Sequence, residues 1–374
     1  MAKIAILGIK TYPAFAGADR VVEFLLSQYN RKNHYYIYLW KQKNRAKLKD
    51  KDNLHFIYIP SPFKKHIGTF VYFLFCVVHV ILKGKYDILH IHNVDFGLFV
   101  PLLKLKGFKI IGTSHGSPYL RKKWGKIAKF YLKLSERIFF RYCDIITTVQ
   151  KSQLNIISKK YLSKSLYIPN GVFEELINVK GNFDYGRYNI APGEYLLFAC
   201  GRLDPTKGLH YLLDAYNNGR IKEKLLIVGD FTHAPIGYLQ KIEAQIRNKE
   251  NIVVIKELLP KEILYEVLRN AKLFVFPSEV EAASMLLLEA ISCKTPVVCS
   301  DIDENKDIVG SDYKYLFKSA DSRDLLDKIK LALADSKIKE IAEVLHRECI
   351  NKFSWKVIAK MYEDLYSKLL KGNA

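Results

Sequence analysis

Short apolar runs bounded by turn residues recur along the whole chain. In the first half they fall at 3–8, 34–40, 55–59, 86–92, 108–113, 144–149 and 166–169. Runs of that length read as buried strands, and the segments between them carry helical spacing. The second half repeats the alternation, with strands at 195–200, 225–229, 252–255, 273–276 and 296–300. Regular strand–helix alternation predicts an α/β architecture with parallel, doubly wound sheets. A chain of 374 residues is long for one hydrophobic core, so two such domains are expected. The turn Pro169-Asn170-Gly171 marks their boundary, placed near residue 172.

Two segments depart from this rhythm. Residues 67–82, IGTFVYFLFCVVHVIL, form an apolar run flanked by Lys64, Lys65 and Lys83. A membrane-spanning helix needs about 20 such residues. The shorter run, with His79 inside it, is expected to be a buried helix of the N-terminal domain, with an interfacial helix as the lesser alternative. The segment 121–141 is basic and amphipathic. Lys122, Lys126, Lys129, Lys133 and Arg137 share an arc of ~80° at ~100° per residue. Ile127, Phe130, Tyr131, Leu134 and Ile138 fill the adjoining arc. A solvated charged face over a core stripe has this pattern, and so does a face turned to an anionic membrane.

Charge adds an asymmetry. Residues 1–170 hold 30 Lys and Arg against 8 Asp and Glu, and the rest hold 29 against 30. The net charge of +21 therefore belongs to the N-terminal half. That suits an anionic partner: membrane lipid, a lipid diphosphate or nucleic acid. No nucleic-acid motif accompanies the charge, and nucleic acid is not the expected partner. The six cysteines form no CxxC and sit in apolar surroundings, the pattern of reduced core thiols. Residues 3–8 read as a strand and turn rather than a signal peptide. A cytoplasmic protein, peripheral at the inner face of the cell membrane, is expected.

Candidate chemistry gathers in the second half. The strand 273–276 ends at Pro277-Ser278, and a helix is expected to start near Ala283 or Ser284, with Ser284 as its N-cap. Strand, turn and helix aim free backbone N–H groups at an anion. Glu281 before the helix and Glu289 within it flank that position, an arrangement that fits a diphosphate between a ribose and a sugar. As a hydrolase pair the two carboxylates are too distant: eight helical steps rise ~12 Å, against roughly 5–9.5 Å in glycosidases. The strand 195–200 runs into Gly201-Arg202-Leu203-Asp204-Pro205-Thr206-Lys207-Gly208. Arg202 can fork two donors to phosphate oxygens, and Lys207 adds a point charge. Both loops leave one sheet, so they can converge. Asp301-Ile302-Asp303 has the spacing of a DxD metal motif without its context, and no metal is expected. In the first half, the strand 108–113 delivers His115-Gly116 to the carboxyl edge, where open α/β sheets bind ligands. No GxGxxG follows the first strand, so a dinucleotide site there is not expected.

Glu281-x7-Glu289 after Pro277-Ser278, together with the Gly201-Arg202 to Lys207-Gly208 loop, resembles the retaining family 4 glycosyltransferases of the GT-B fold. The likeness extends to residues 12–23, where Gly17 stands in the family's glycine-rich loop. It includes His115-Gly116, Val228-Gly229-Asp230 and the terminal helix. The run from His115 through Arg121, Lys123-Trp124-Gly125 and Tyr131-Leu132 to Glu136 is similar to a subgroup that builds bacterial surface polysaccharides, including rhamnosyl- and galactosyltransferases. Where the family shows Gly-Phe-Gly after the first Glu, this chain has Ala282-Ala283-Ser284.

The resemblance implies two Rossmann-like domains facing each other across a cleft. Residues 1–172 would take the acceptor, 173–355 the nucleotide sugar, and 356–374 would form a helix crossing back to the first domain. The donor would be a UDP-, GDP- or dTDP-sugar, and the acceptor lipid-diphosphate-linked or an oligosaccharide. The anomeric configuration would be retained, with no cofactor or metal. Arg202 and Lys207 would hold and stabilise the departing diphosphate, the amides of Ser284, Met285 and Leu286 sharing its charge. Glu289 would hold ribose hydroxyls, Glu281 a hydroxyl of the donor sugar, and His115 the sugar from the N-terminal domain. Gly17 would lie near the phosphates and acceptor, and Gly229 near the nucleobase. Two readings compete: a nucleic-acid-binding protein, on the strength of the basic half, and a membrane-bound GT-B scaffold without transferase activity. Intact Arg202, Lys207 and Glu289 count against the second.

Overall fold

A computed structural model describes residues 1–14, 17–41, 47–63, 65–120, 125–281 and 283–372. Ala16, Ala282 and the segment 121–124, which holds Lys122, lie outside the described residues. The chain divides into two compact units: Met1–Asn170 with Trp355–Ala374, and Gly171–Ser354.

The first unit is built on a seven-stranded sheet. Its strands are β1 (Lys3–Leu7), β2 (His34–Trp40), β3 (Leu54–Ile59), β4 (Ile88–His92), β5 (Lys109–Ser114), β6 (Ile145–Thr148) and β7 (Ser165–Tyr167), in the order β3-β2-β1-β4-β5-β6-β7. Every ladder is parallel, so both faces need cover. On one face Tyr72, Phe73, Val77, Phe96 and Phe139 pack on the strand residues Leu89, Ile91, Ile110 and Ile146. The alternate strand positions point to the other face, as the pleat requires. There lie the helices Gly17–Gln28 and Trp355–Leu370, and the contacts are partly polar. Tyr366 Oη is 2.7 Å from His90 Nδ1 and 3.0 Å from Tyr29 Oη, and the Thr113 and Thr147 hydroxyls meet at 2.6 Å.

One helix of this unit differs from its sequence expectation, and the structure decides which faces of a second are buried. The helix Lys65–Lys83 is buried on one face only: Tyr72, Phe73, Cys76, Val77 and Val80 are enclosed, but Ile67 is 66% and Leu82 74% exposed. The helix Lys126–Tyr142 packs through Leu132, Ser135, Glu136, Phe139 and Phe140. Ile127 and Phe130 instead stand 88% and 71% exposed among its lysines. Periodicity locates such a helix but does not say which of two neighbouring arcs is turned inward when Ser and Glu sit on the buried side.

The second unit has a six-stranded sheet: β8 (Tyr195–Arg202), β9 (Lys224–Asp230), β10 (Ile252–Ile255), β11 (Leu273–Phe276), β12 (Val297–Ser300) and β13 (Leu316–Phe317), in the order β10-β9-β8-β11-β12-β13. All its ladders are parallel. Leu197, Leu226 and Phe274 fill the core on one face, and Leu196, Leu225 and Val275 the core on the other. β13 has two residues, too few to leave a periodic signal in the sequence. All six cysteines are buried free thiols.

The two sheets share one topology. In each, the strand order reverses between the first and fourth strands, β1 with β4 and β8 with β11. A left-handed glycine seals both places. A Cβ on Gly8 (φ +85) would lie 1.8 Å from the His92 carbonyl oxygen, and one on Gly208 (φ +70) 1.9 Å from that of Pro277. Such switch points, at the carboxyl ends of the strands, are where open α/β sheets take ligands.

Candidate active site

Charged groups line the carboxyl edge of the second sheet. β8 ends in an irregularity between Cys200 and Arg202. The Arg202 side chain is 64% exposed and lies 3.9 Å from Asp204. Asp204 Oδ1 accepts from the Thr206 amide at 2.9 Å and from the Thr206 hydroxyl, which shapes the turn Pro205–Lys207. Gly208 then brings this loop against Pro277, and the Glu279 amide donates to Thr206 O at 2.8 Å. The loops after β8 and β11 are thereby stitched together. Lys207 Nζ donates to Glu281 Oε1 at 2.8 Å, with both side chains largely buried. Expected on different parts of a donor, Lys207 and Glu281 are joined here as an ion pair. Cys200, two residues before Arg202, is kept protonated by burial, its pKa pushed up to about 12.

The helix Met285–Ser292 starts where expected, with Ser284 at the N-cap position, but the Ser284 hydroxyl does not cap it. That hydroxyl donates to Asn305 Oδ1 at 2.7 Å. Asn305 Nδ2 donates to Ser300 O and Oγ at 3.0 Å, and Ser300 Oγ donates to Ser278 O. This buried chain fixes the ends of β11 and β12 and leaves the helix start without a side-chain cap. Of the three amides expected to face an anion, that of Met285 is committed to Ala283 O at 2.7 Å by the tight turn before the helix. The first intrahelical bond runs from Leu288 N to Ser284 O.

Glu289, inside the helix, has partners the sequence analysis missed. Lys261 Nζ donates to both its oxygens, at 2.6 and 2.8 Å, and Tyr265 Oη lies 3.3 Å from Oε1. Both belong to the helix Lys261–Arg269. One signal pointed there: a lysine at a helix start opposes the helix dipole and calls for an anionic neighbour. Gly229 lies where β9 packs on β8. A Cβ there would meet Cys200 Sγ at 2.6 Å, so the residue serves strand packing, and the exposed turn begins at Asp230, which accepts from the Thr232 amide at 2.8 Å. Asp301 accepts from the Ser319 amide at 2.8 Å, and Asp303 opens a short helix with its side chain in solvent. Among the described residues, no group of three or more His, Cys, Asp or Glu stands where it could hold a metal ion.

At the carboxyl edge of the first sheet the histidines are neutral. His115 follows β5, its Nε2 3.1 Å from His92 Nδ1 at the end of β4. The His90 ring lies 4.1 Å from that of His92, and its Nε2 is 2.7 Å from Thr113 Oγ1. Desolvation lowers the pKa of all three: His115 to about 4, His90 to about 3, and His92 well below the ordinary value. At neutral pH these are uncharged imidazoles that both give and accept hydrogen bonds. Gly17 opens the helix Gly17–Gln28 at φ +66 with no atom within 4 Å of its Cβ position. Asp19 accepts from the amides of Lys10 and Thr11 at 3.2 and 2.9 Å, and Glu23 from that of Ala14 at 2.8 Å, so the helix's own carboxylates pin the loop after β1. Ser117, beyond His115, donates to the buried Glu136 at 2.8 Å. The structure thus brings Arg202, Lys207, Glu281, Ser284 and Glu289 to one edge, while Gly17 and His115 belong to the edge of the other sheet.

Comparison with known proteins matches both units. The model of Glycosyltransferase Family 4 covers residues 15–176, and that of Glycosyl transferases group 1 covers 183–347. The chain is 28% identical over 301 residues to an uncharacterized glycosyltransferase of Methanocaldococcus jannaschii, spanning 77% of this chain and 78% of that one. It is 28% identical over 232 residues to the O-antigen chain mannosyltransferase B of Escherichia coli, spanning 61% of this chain and 58% of the relative. The fold is similar to that of Anabaena HepE in its complex with UDP and glucose, with a TM-score of 0.74 at 15% identity over 98% of this chain and 100% of that one.

Proposed function

Because this chain belongs to glycosyltransferase family 4 and has the GT-B fold of two Rossmann-like units, we propose that it moves a hexosyl or deoxyhexosyl group from a nucleotide diphosphate sugar to a lipid-linked or oligosaccharide acceptor. The product is a cell-surface polysaccharide, the anomeric configuration is retained and no metal takes part. The observation that carries this reading is the joined pair of loops at the second sheet, with Arg202 exposed and Lys207 held by Glu281. A departing diphosphate gathers negative charge in the transition state. Donors fixed beforehand stabilise that charge without reorganising. Arg202 presents its planar fork to the phosphate oxygens. Lys207 adds a positive charge whose position Glu281 sets, and Glu281 accepts from a hydroxyl of the donor sugar. Glu289, locked by Lys261 and Tyr265, accepts from the ribose hydroxyls. His115, neutral, meets a hydroxyl of the transferred sugar.

The bond from the anomeric carbon to phosphate breaks, and the bond to the acceptor oxygen forms on the same face. The acceptor's proton passes to the departing phosphate oxygen, so no protein nucleophile is required. The UDP and glucose bound by HepE and the mannosyltransferase activity named for the E. coli relative support a nucleotide-sugar donor. The enzyme works in the cytoplasm at the inner face of the membrane, and the surplus of 22 positive charges on residues 1–170 supports an anionic lipid surface and a lipid-diphosphate acceptor.

Incubation with UDP-, GDP- and dTDP-sugars and lipid-diphosphate acceptors, read by mass spectrometry, tests this. One donor class is expected to be consumed, and no turnover with any of them would overturn the reading.

A further inference from the structure

The outer face of the helix Lys65–Lys83 is apolar where a helix on a protein surface is normally charged. Ile67, Phe70, Phe75, Val78 and Leu82 are exposed. With the half-buried Val71 and Leu74 they fill an arc of about 140° at ~100° per residue, and no charged residue occurs between 67 and 82. Among the described residues this is the one helix long and apolar enough to cross a membrane. Its inner face, however, is fixed in the unit: the buried Tyr72 hydroxyl sits between two carbonyl acceptors, 2.7 Å from Ile9 O and 2.8 Å from Tyr38 O. The helix therefore lies on the first unit as a surface element.

The apolar area extends beyond this helix. The Phe70 ring is 5.0 Å from Phe99 and 6.4 Å from Tyr131 of the helix Lys126–Tyr142. That helix turns Ile127, Phe130 and Leu134 to solvent, and the short helix Val100–Leu105, which touches both, adds Leu102 and Leu105. The exposed charges of these three helices are of one sign. Lys126, Lys129, Lys133 and Arg137 line one helix and Lys83 ends another. The only acidic residue in the three helices is Glu136, buried against Ser117.

We propose that this face is an in-plane docking surface for an anionic lipid bilayer, its apolar side chains entering the acyl boundary and its cations engaging the headgroups. The inference deepens the peripheral location in the proposed function, on which it rests. Apolar helix sides rimmed by lysine are the composition of interfacial helices. A second copy of this chain would bring an equally basic rim to the same place, and like charge opposes that pairing. Helices that follow parallel strands start at the sheet's carboxyl edge. Ile67, Phe70, Ile127 and Phe130 therefore lie toward the end of the unit that carries His115, and a lipid-borne acceptor would arrive beside it. Insertion also changes the salt dependence. Headgroup attraction fades as ionic strength rises, whereas burial of apolar surface does not.

The test uses the full chain and vesicles of phosphatidylcholine with or without phosphatidylglycerol, in the absence of donor and acceptor. Binding to the anionic vesicles should persist in large part at about 1 M NaCl, where the screening length is ~3 Å. The double variant Val78→Glu/Leu82→Glu should lose about tenfold or more of the binding at low and high salt alike. Lys129→Gln/Lys133→Gln should lose binding at low salt only. Val78→Trp should shift its fluorescence to the blue and be quenched by brominated lipid. All these variants should keep transfer to a soluble acceptor. Undiminished binding by the double Glu variant, an unquenched Val78→Trp, or a vesicle-free dimer that the double Glu variant dissociates while vesicle binding stays the same would each overturn the proposal. Vesicle binding without transfer overturns the proposed function and leaves this surface standing; transfer without vesicle binding does the reverse.

Discussion

At the carboxyl edge of the first sheet stand His92 and His115, with His90 behind them in the middle of β4, all three kept neutral by desolvation. At the matching edge of the second stand Arg202, Lys207, Lys261 and two glutamates, four of the five drawn into ion pairs at 2.6–2.8 Å. The strand order and the glycine-sealed switch point are the same in both. Backbone topology therefore decides where a ligand can be met, and the side chains beyond the strand ends decide its charge. Neutral imidazoles suit hydroxyl groups, and an exposed arginine beside a lysine held by Glu281 suits a diphosphate.

The largest test of that contrast is kinetic. Loss of a charge-assisted contact costs ~1.5–3 kcal/mol and of a neutral one ~0.5–1.5 kcal/mol. Arg202→Ala and Lys207→Ala should therefore each lower kcat/KM by about ten- to a hundredfold, and His115→Ala by about two- to tenfold. Steady-state rates with the accepted donor decide it; equal losses at the two edges would erase the distinction. The shared switch point comes next. Gly8→Ala and Gly208→Ala both force a side chain onto a carbonyl at positive φ, at a cost of ~1–3 kcal/mol each from backbone strain and more from the collision. Denaturant titration should show comparable destabilisation, and a silent substitution at either position would break the equivalence.

The histidines give a smaller effect with a definite sign. Folded, His115 titrates at about 4 and His90 at about 3, while an unfolded His titrates near ~6.5. Below that value the unfolded chain binds protons that the folded chain refuses, so stability is full above pH ~6.5 and is lost as pH falls toward the folded values. Melting temperature followed from pH 7 to about 5 should drop, and less steeply in His115→Asn than in the wild type. The smallest expected effect is none: transfer should continue in EDTA, and a requirement for Mg2+ that maps to Asp301 or Asp303 would return the DxD to the site.

Sequence legibility followed distance along the chain. Central strands such as β11, buried along its whole length, are continuous apolar runs and plain to read. The Arg202–Gly208 loop was plain because its working residues are contiguous. The lock on Glu289 was not, since Lys261 lies 28 residues away on another helix. The Ser284 hydroxyl was misread as a cap because its true partner, Asn305, arrives from beyond the next strand. In the helix Lys126–Tyr142 the sequence leaves open which arc is buried, because the inward side carries Ser135 and Glu136. Ser135 is satisfied by Val94 O and Glu136 by Ser117, partners that only the fold supplies.

The central claim is that the second edge is built for a diphosphate and the first is not. Calorimetric titration of UDP, GDP and dTDP into the wild type, Arg202→Ala and His115→Ala tests it most directly. One nucleotide should bind the wild type, bind Arg202→Ala about tenfold or more weakly, and bind His115→Ala within about twofold of the wild type. Binding of none of the three, or an equal loss in both variants, would contradict it.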